Sequence, residues 1–447
     1  NAGLGTLHAR LVEWIVARLR PNRVRAYPVI LILGILAFLL WAEITALRAG
    51  LDISKTFGGD FSSFYTGGRL FLEGRTADLY DQSAQSALRT SLIEPPTATD
   101  KRLYFVNPPF AVVLYAPFAW GGYSTGLLLW WGAGLLLLAL SLYLLRQELL
   151  PASGLSIPRL TAISFLFYPT LAWFLYGQAA ALTLLVYTLT FVLLRRGRDF
   201  TAGAALGFLL YKPQLAIALG LVLVVKRRWR AVLGGMLSAG LWLAIGFAIS
   251  PGAMRDYVRI SPSFFELLRS GMDAPVGLRA AYPTWGIHSF FGFSVLLLDG
   301  IWRLGADLLA AGLTAGGLLV VVIWWRRTAW RPGARTWDFT MAATIALGLL
   351  ISPHLFLYDL MLLLVPLAIL WSYYPKGAGN RHLDGGPLLA WTALLYGATF
   401  AGTYISEAQL WLTTSLGMPR MALQFSVPVI GGWAWVVSRL AQRPVDG

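Results

Sequence analysis

Of the chain's 447 residues, 57% are hydrophobic and only 13% charged, and the mean hydropathy is +0.64. That leaves too little polar side chain to cover a soluble globule of this size, so composition excludes a water-soluble fold in favour of an all-α polytopic membrane protein. A formal charge of +15 invites a nucleic-acid partner, but the basic residues form short clusters beside apolar segments rather than a basic surface with interleaved aromatics; with no cysteine, disulfides, thiolate metal sites and cysteine nucleophiles are excluded too.

Taken in order, Leu11 to Arg20 reads as a basic amphipathic helix in the membrane interface, and Pro28 to Leu47 as a first span retained as an anchor. The arginines ahead of that span put the N-terminus in the cytoplasm. Residues 50–123 follow as a first large outer loop. Within it an amphipathic helix starts after Asp60, with Phe61, Phe64 and Tyr65 on one side and Ser62, Ser63 and Arg69 on another. Such a helix is expected to lie flat among lipid head groups. Arg75 to Asp81 reads as a polar turn with a local salt bridge.

Phe105 to Trp120 is apolar but broken by Asn107-Pro108-Pro109 and Pro117, so it is expected to be re-entrant or interfacial rather than a crossing. This assignment keeps Arg195-Arg196-Gly197-Arg198, Lys226 to Arg230 and Arg326-Arg327 on the cytoplasmic side. Later spans are expected near 124–146, 158–176, 179–195, 200–211, 213–225, 230–250, 302–325, 336–352, 355–374, 387–404 and 420–440. With the first, they total roughly twelve and leave both termini cytoplasmic. The pair 200–211 and 213–225 is too short for two ordinary spans. It is either a shallow hairpin with Lys212 at its outer tip or one helix kinked at Pro213. Residues 251–300 form a second large outer loop, and 302–440 a C-terminal set of spans. No internal repeat is visible, and residues 1–447 read as a single domain.

Unusual polar residues therefore converge on the outer side. Asp60 follows two glycines and precedes a helical pattern; it fits a helix N-cap, or a general base taking a proton from an attacking hydroxyl, or both. Lys212 is a charge in an apolar hairpin and must face a cavity or snorkel to the interface. As a cavity residue it is a cation for a phosphate, a role open also to Arg255, Arg259, Arg269 and Arg279 of the second loop. His354 stands in an outer turn and suits a phosphate or an acceptor; Asp359, inside the span, is expected to pair with Lys212, His354 or an arginine. Gln178 and Asn107 are amides suited to sugar hydroxyls, and Tyr282 or Trp285 could stack on a sugar face. No Walker motif, dinucleotide fingerprint or carboxylate triplet appears.

These motifs in this order, Gly59-Asp60-Phe61-x-x-Phe64-Tyr65-x-x-Gly68-Arg69, Leu79-Tyr80-Asp81, Tyr104-x-x-Asn107-Pro108-Pro109-Phe110, Gly177-Gln178, Lys212-Pro213 and Ser352-Pro353-His354, resemble glycosyltransferase family 87 over roughly residues 55–375. The resemblance implies the type C glycosyltransferase fold and polyprenyl-phosphate-dependent mannosyl transfer of the kind known from mycobacterial phosphatidylinositol mannoside synthesis. It implies an inverting reaction at the periplasmic face of a bacterial inner membrane, with a lipid or glycolipid acceptor. Asp60 then matches the catalytic position; Lys212, His354, Arg255, Arg259 and Arg279 are expected at the donor phosphate, and Gln178, Tyr65, Arg69, Asn107 and Asp359 at sugar or acceptor. No cofactor is expected. A divalent ion is the one weighed, and Asp60 has no obvious partner carboxylate for it. The alternative, a secondary transporter or flippase of lipid-linked sugars, calls for repeat symmetry and broken mid-membrane helices, of which only the Lys212-Pro213 break is present.

Overall fold

Apolar runs in lipid can satisfy their backbone only within helices or closed barrels. The computed structural model takes the helical solution: it describes residues 59–92, 103–151, 153–272, 282–373 and 385–442, with scattered positions between 10 and 44, as helices, turns and one isolated β-bridge. Of the expected first span, positions 29, 30, 32–37, 40, 41 and 44 are described and all are helical, whereas of the interfacial helix expected before it only Glu13 and Trp14 are described.

From Asp60 onward the order is α1 (Phe61–Leu72), α2 (Gln82–Leu92), α3 (Val112–Tyr115), α4 (Tyr123–Leu149), α5 (Ile157–Ser164), α6 (Tyr168–Tyr176), α7 (Ala180–Arg195), α8 (Asp199–Gly207), α9 (Ile217–Val225) and α10 (Trp229–Ile249). Then come α11 (Pro251–Ile260), α12 (Ser263–Arg269), α13 (Phe290–Leu298), α14 (Arg303–Arg327), α15 (Arg335–Ile351), α16 (Leu364–Tyr373), α17 (Gly385–Ser415) and α18 (Ser426–Gln442). Among the described residues, four helices, at Tyr123–Leu149, Trp229–Ile249, Arg303–Arg327 and Pro387–Ser415, are long and apolar enough to cross a membrane. The chain is an all-α membrane protein.

Long helices at the rim keep apolar side chains exposed: Leu233, Met236, Leu237, Leu241 and Phe247 of α10 all face outward, as lipid requires. The core centres instead on α15, whose residues from Trp337 to Ile351 are buried without a break. The segment at Phe105 to Trp120 is a series of short 3-10 and α turns packed against α1.

Ion pairs sort the helix ends onto two faces. Arg195 at the end of α7 reaches Glu148 of α4 at 3.0 Å and Asp338 of α15 at 3.1 Å, while Lys226 donates to the carbonyls of Trp325 and Thr328. The basic clusters at 195–198, 226–230 and 326–327, expected on one side, therefore meet there; the arginines at 18–25, ahead of the first span, lie outside the described residues. Arg228 also pairs with Asp199, which closes α8 and α9 into a hairpin. At its far end α8 tightens into a 3-10 turn, Lys212 leaves helical geometry (φ −138, ψ 66), and Pro213 opens the return. Of the two readings of 199–225, the structure takes the hairpin. Glycine allows its close seat against α10: a Cβ on Gly203 would stand 1.7 Å from the Ala231 carbonyl oxygen, and one on Gly207 2.3 Å from that of Gly235.

Candidate active site

At the face opposite the basic clusters, one cavity gathers residues from most of the chain. Asp60, Asn107, Gln178, Lys212 and His354 line it together with Ser63, Phe64, Tyr104, Tyr176, Tyr282, Phe356, Tyr358 and Thr403. Five of the expected site residues thus share one wall.

Asp60 is fixed from two directions. Its backbone N–H donates to the carbonyl of Tyr176 at 3.1 Å, and its Oδ2 accepts from Gln178 Nε2 at 2.7 Å. The turn holding Gln178 is shaped by Gly177, whose φ of 68 is left-handed and ends α6, as a residue with a Cβ would do only under strain. Three indoles lock that end: Trp130 donates to the Gly177 carbonyl, Trp131 to that of Phe174 and Trp173 to that of Gln178. The capping expectation for Asp60 fails, since its side chain makes no hydrogen bond to the start of α1. Its backbone is already helical (φ −74, ψ −27), and the carboxylate turns to Gln178 instead.

Lys212 enters from the hairpin tip, 6% exposed, and donates to Asp359 Oδ1 at 2.8 Å. Asp359 is fully buried behind it, and its Oδ2 has no hydrogen-bond partner among the described residues. The lysine also lies 5.7 Å from the centre of the Tyr358 ring. Burying this pair demands mutual neutralisation, so Asp359 is a counter-ion within the wall rather than a sugar contact. His354 stacks edge-on against Phe356, and burial, followed by the Lys212 ammonium, lowers its pKa to about 4. It is a neutral donor or acceptor at ordinary pH. Burial, reinforced by the Asp60 charge, pushes the Tyr282 phenol up, so it keeps its proton. The second loop is tied to the His354 turn by the Ile287–Phe356 bridge and a bond from His288 N–H to the Leu355 carbonyl at 2.8 Å.

Other expected contacts lie elsewhere. Tyr65 is buried against Tyr123 with its hydroxyl on the Gly121 carbonyl, and Arg69 pairs with Glu73 at 2.8 Å; neither lines the cavity. Arg255 is exposed on α11, and Arg259, 80% exposed, pairs with Asp256. Neither reaches the cavity, because α11 presents both to the outside. Arg279 lies outside the described residues. Among the described residues of this loop the buried arginine is Arg269, engaged by Asp299 and Asp307. Asn107 spends its side-chain N–H on Tyr115, donating at 2.9 Å, while its backbone carbonyl accepts from Tyr80. Among the described residues, no cluster of three or more His, Asp or Glu stands ready for a metal ion.

Chemically, the cavity offers one carboxylate held at a fixed angle, one buried ammonium and a neutral imidazole. That set suits proton removal from a hydroxyl beside a departing anion. Residues 105–353 match the sequence model of glycosyltransferase family 87, a stretch that includes Asn107, Gln178 and Lys212 and stops short of Asp60 and His354. No curated protein and no solved structure matches the chain.

Proposed function

The chain belongs to glycosyltransferase family 87, and from that premise we propose that it moves a hexose, mannose in our reading, from a polyprenyl-phosphate donor to a hydroxyl of a lipid-linked or cell-envelope glycan acceptor. In this proposal a twelve-span type C fold sits in a bacterial inner membrane with the cavity facing the periplasm. The observation that carries the reading is the convergence of Asp60 and Lys212 on one cavity, opposite the basic face.

Asp60 accepts the proton of the acceptor hydroxyl as that oxygen bonds to the anomeric carbon. The bond from this carbon to the phosphate oxygen breaks on the opposite side, its electron pair leaves with the phosphate, and the configuration inverts. Lys212 and His354 hydrogen-bond the departing phosphate, and Gln178 keeps Asp60 aimed. Because Asp359 balances Lys212, the ammonium can be buried before donor arrives and shared with the phosphate afterwards.

The test is purified protein given polyprenyl-phosphate mannose and a lipid acceptor, with the product read by mass. Addition of one hexose to the acceptor is expected from the native protein and no more than a trace of it from Asp60→Asn. Near-normal turnover by that variant refutes the assignment.

A further inference from the structure

Thr403 reaches the cavity from α17, and behind it runs a chain of polar groups. Its Oγ1 lies 2.9 Å from His288 Nε2; His288 Nδ1 lies 2.7 Å from Ser426 Oγ, which lies 3.2 Å from Gln424 Oε1. Gln424 Nε2 ends the chain on the Trp285 carbonyl at 2.7 Å. His288, Ser426 and Gln424 are completely buried. Gly402 permits the approach: a Cβ there would meet Gln424 Oε1 at 2.8 Å and His288 Cε1 at 3.2 Å.

The direction of every bond follows from the far end. A carbonyl only accepts, so the amide nitrogen of Gln424 must face Trp285 and its oxygen must face Ser426. That oxygen takes the Ser426 proton, leaving the serine only lone pairs for His288. Burial lowers the His288 pKa to about 3, so the ring is neutral and has one N–H. This N–H sits on Nδ1, and Nε2 accepts from the Thr403 hydroxyl. Running the chain the other way strands the buried Gln424 oxygen without a donor, the costlier arrangement. Thr403, its one proton directed inward, shows only lone pairs to the cavity.

We propose that Thr403 is a specificity-determining residue that accepts a hydrogen bond from a ligand hydroxyl, on the transferred sugar or on the acceptor, with its polarity set by the chain from Trp285 through His288. The proposal rests on the cavity being the transfer site.

Solid-state NMR of the full-length protein in lipid, labelled with [15N]histidine and assigned by the signal lost in His288→Asn, reads the polarity without turnover. Protonated Nδ1 is expected; protonated Nε2 overturns the proposal. In kinetics with polyprenyl-phosphate mannose and an alkyl mannoside, Thr403→Val raises one KM about tenfold, changes kcat less, and Thr403→Ser restores the native value. A raised donor KM, matched by one deoxy-mannose donor on the native protein, assigns the hydroxyl to the sugar; a raised acceptor KM assigns it to the acceptor. Unchanged KM for both overturns the proposal. Native protein that transfers no sugar defeats the transfer reading, while the NMR arm still decides which way Thr403 points its proton.

Discussion

Gln178 Nε2 donates to Asp60 Oδ2 at 2.7 Å, joining the turn after α6 to the residue just ahead of α1 across 118 positions of sequence. The carboxylate is thereby aimed by a group that carries no charge and takes no proton. Asp60→Asn is expected to lower transfer by roughly 10³-fold, within the range for loss of a general base. Gln178→Ala leaves the base but frees its angle, and about a 10²-fold fall in kcat is expected, with donor affinity nearly unchanged. Equal losses of affinity and rate in the Gln178 variant would show instead that the amide contacts substrate.

Lys212 and Asp359 form a buried pair, and removing either partner strands the other. Asp359→Leu alone is expected to destabilise the protein by about 3–5 kcal/mol, whereas Asp359→Leu combined with Lys212→Met is expected to lie much closer to native stability. Both proteins should be inactive. Thermal unfolding of the single and double variants in one detergent, treated as a double-mutant cycle, measures the coupling. Additive effects would mean that the two charges do not depend on each other.

His354 has a folded-state pKa of about 4, below the ordinary histidine value. The unfolded chain therefore takes up the proton first as pH falls. Stability linked to this group is intact above about pH 6.5 and declines from there down to about pH 4. His354→Asn is expected to flatten that part of the stability profile and, by losing a phosphate partner, to slow transfer at neutral pH. Unfolding temperatures of the two proteins from pH 7 to pH 4 provide the comparison. Parallel profiles would remove His354 from the account.

The hairpin seat offers a contrast between glycines. Gly203→Val puts a Cβ into the Ala231 carbonyl and is expected to cost about 3 kcal/mol or more, since backbone cannot move aside cheaply. Gly220→Ala, in α9 with open space around it, is expected to be neutral or slightly stabilising. Relative yields of folded protein and unfolding temperatures separate the two. Similar penalties would mean that the α8–α10 seat is not what fixes the hairpin.

Much of this was legible in the sequence wherever a residue stood out from its surroundings. Lys212 before Pro213 in an apolar stretch, Asp60 after two glycines and His354 after Ser352-Pro353 all depart from the hydrophobic background, and all three reach the cavity. Asp359 was read as a partner for Lys212 because a mid-span carboxylate needs one, and it is that partner. Tyr176, Phe356 and Tyr358 stood in or beside the outer turns without being assigned to the site, and Thr403 was not singled out, since an aromatic or a threonine in a membrane helix looks the same whether it faces core or cavity. His288 was visible only as a loop histidine; its role depends on Ser426 and Thr403, brought near by tertiary packing. The loop arginines misled for the opposite reason. Charge was evident, but which way α11 turned Arg255 and Arg259 was not.

The hairpin carrying Lys212 starts and finishes beside Asp199 and Arg228, on the far surface from the cavity it serves. The depth at which its lysine stands is therefore set by the length of α8 and by the ion pair at the foot of the hairpin.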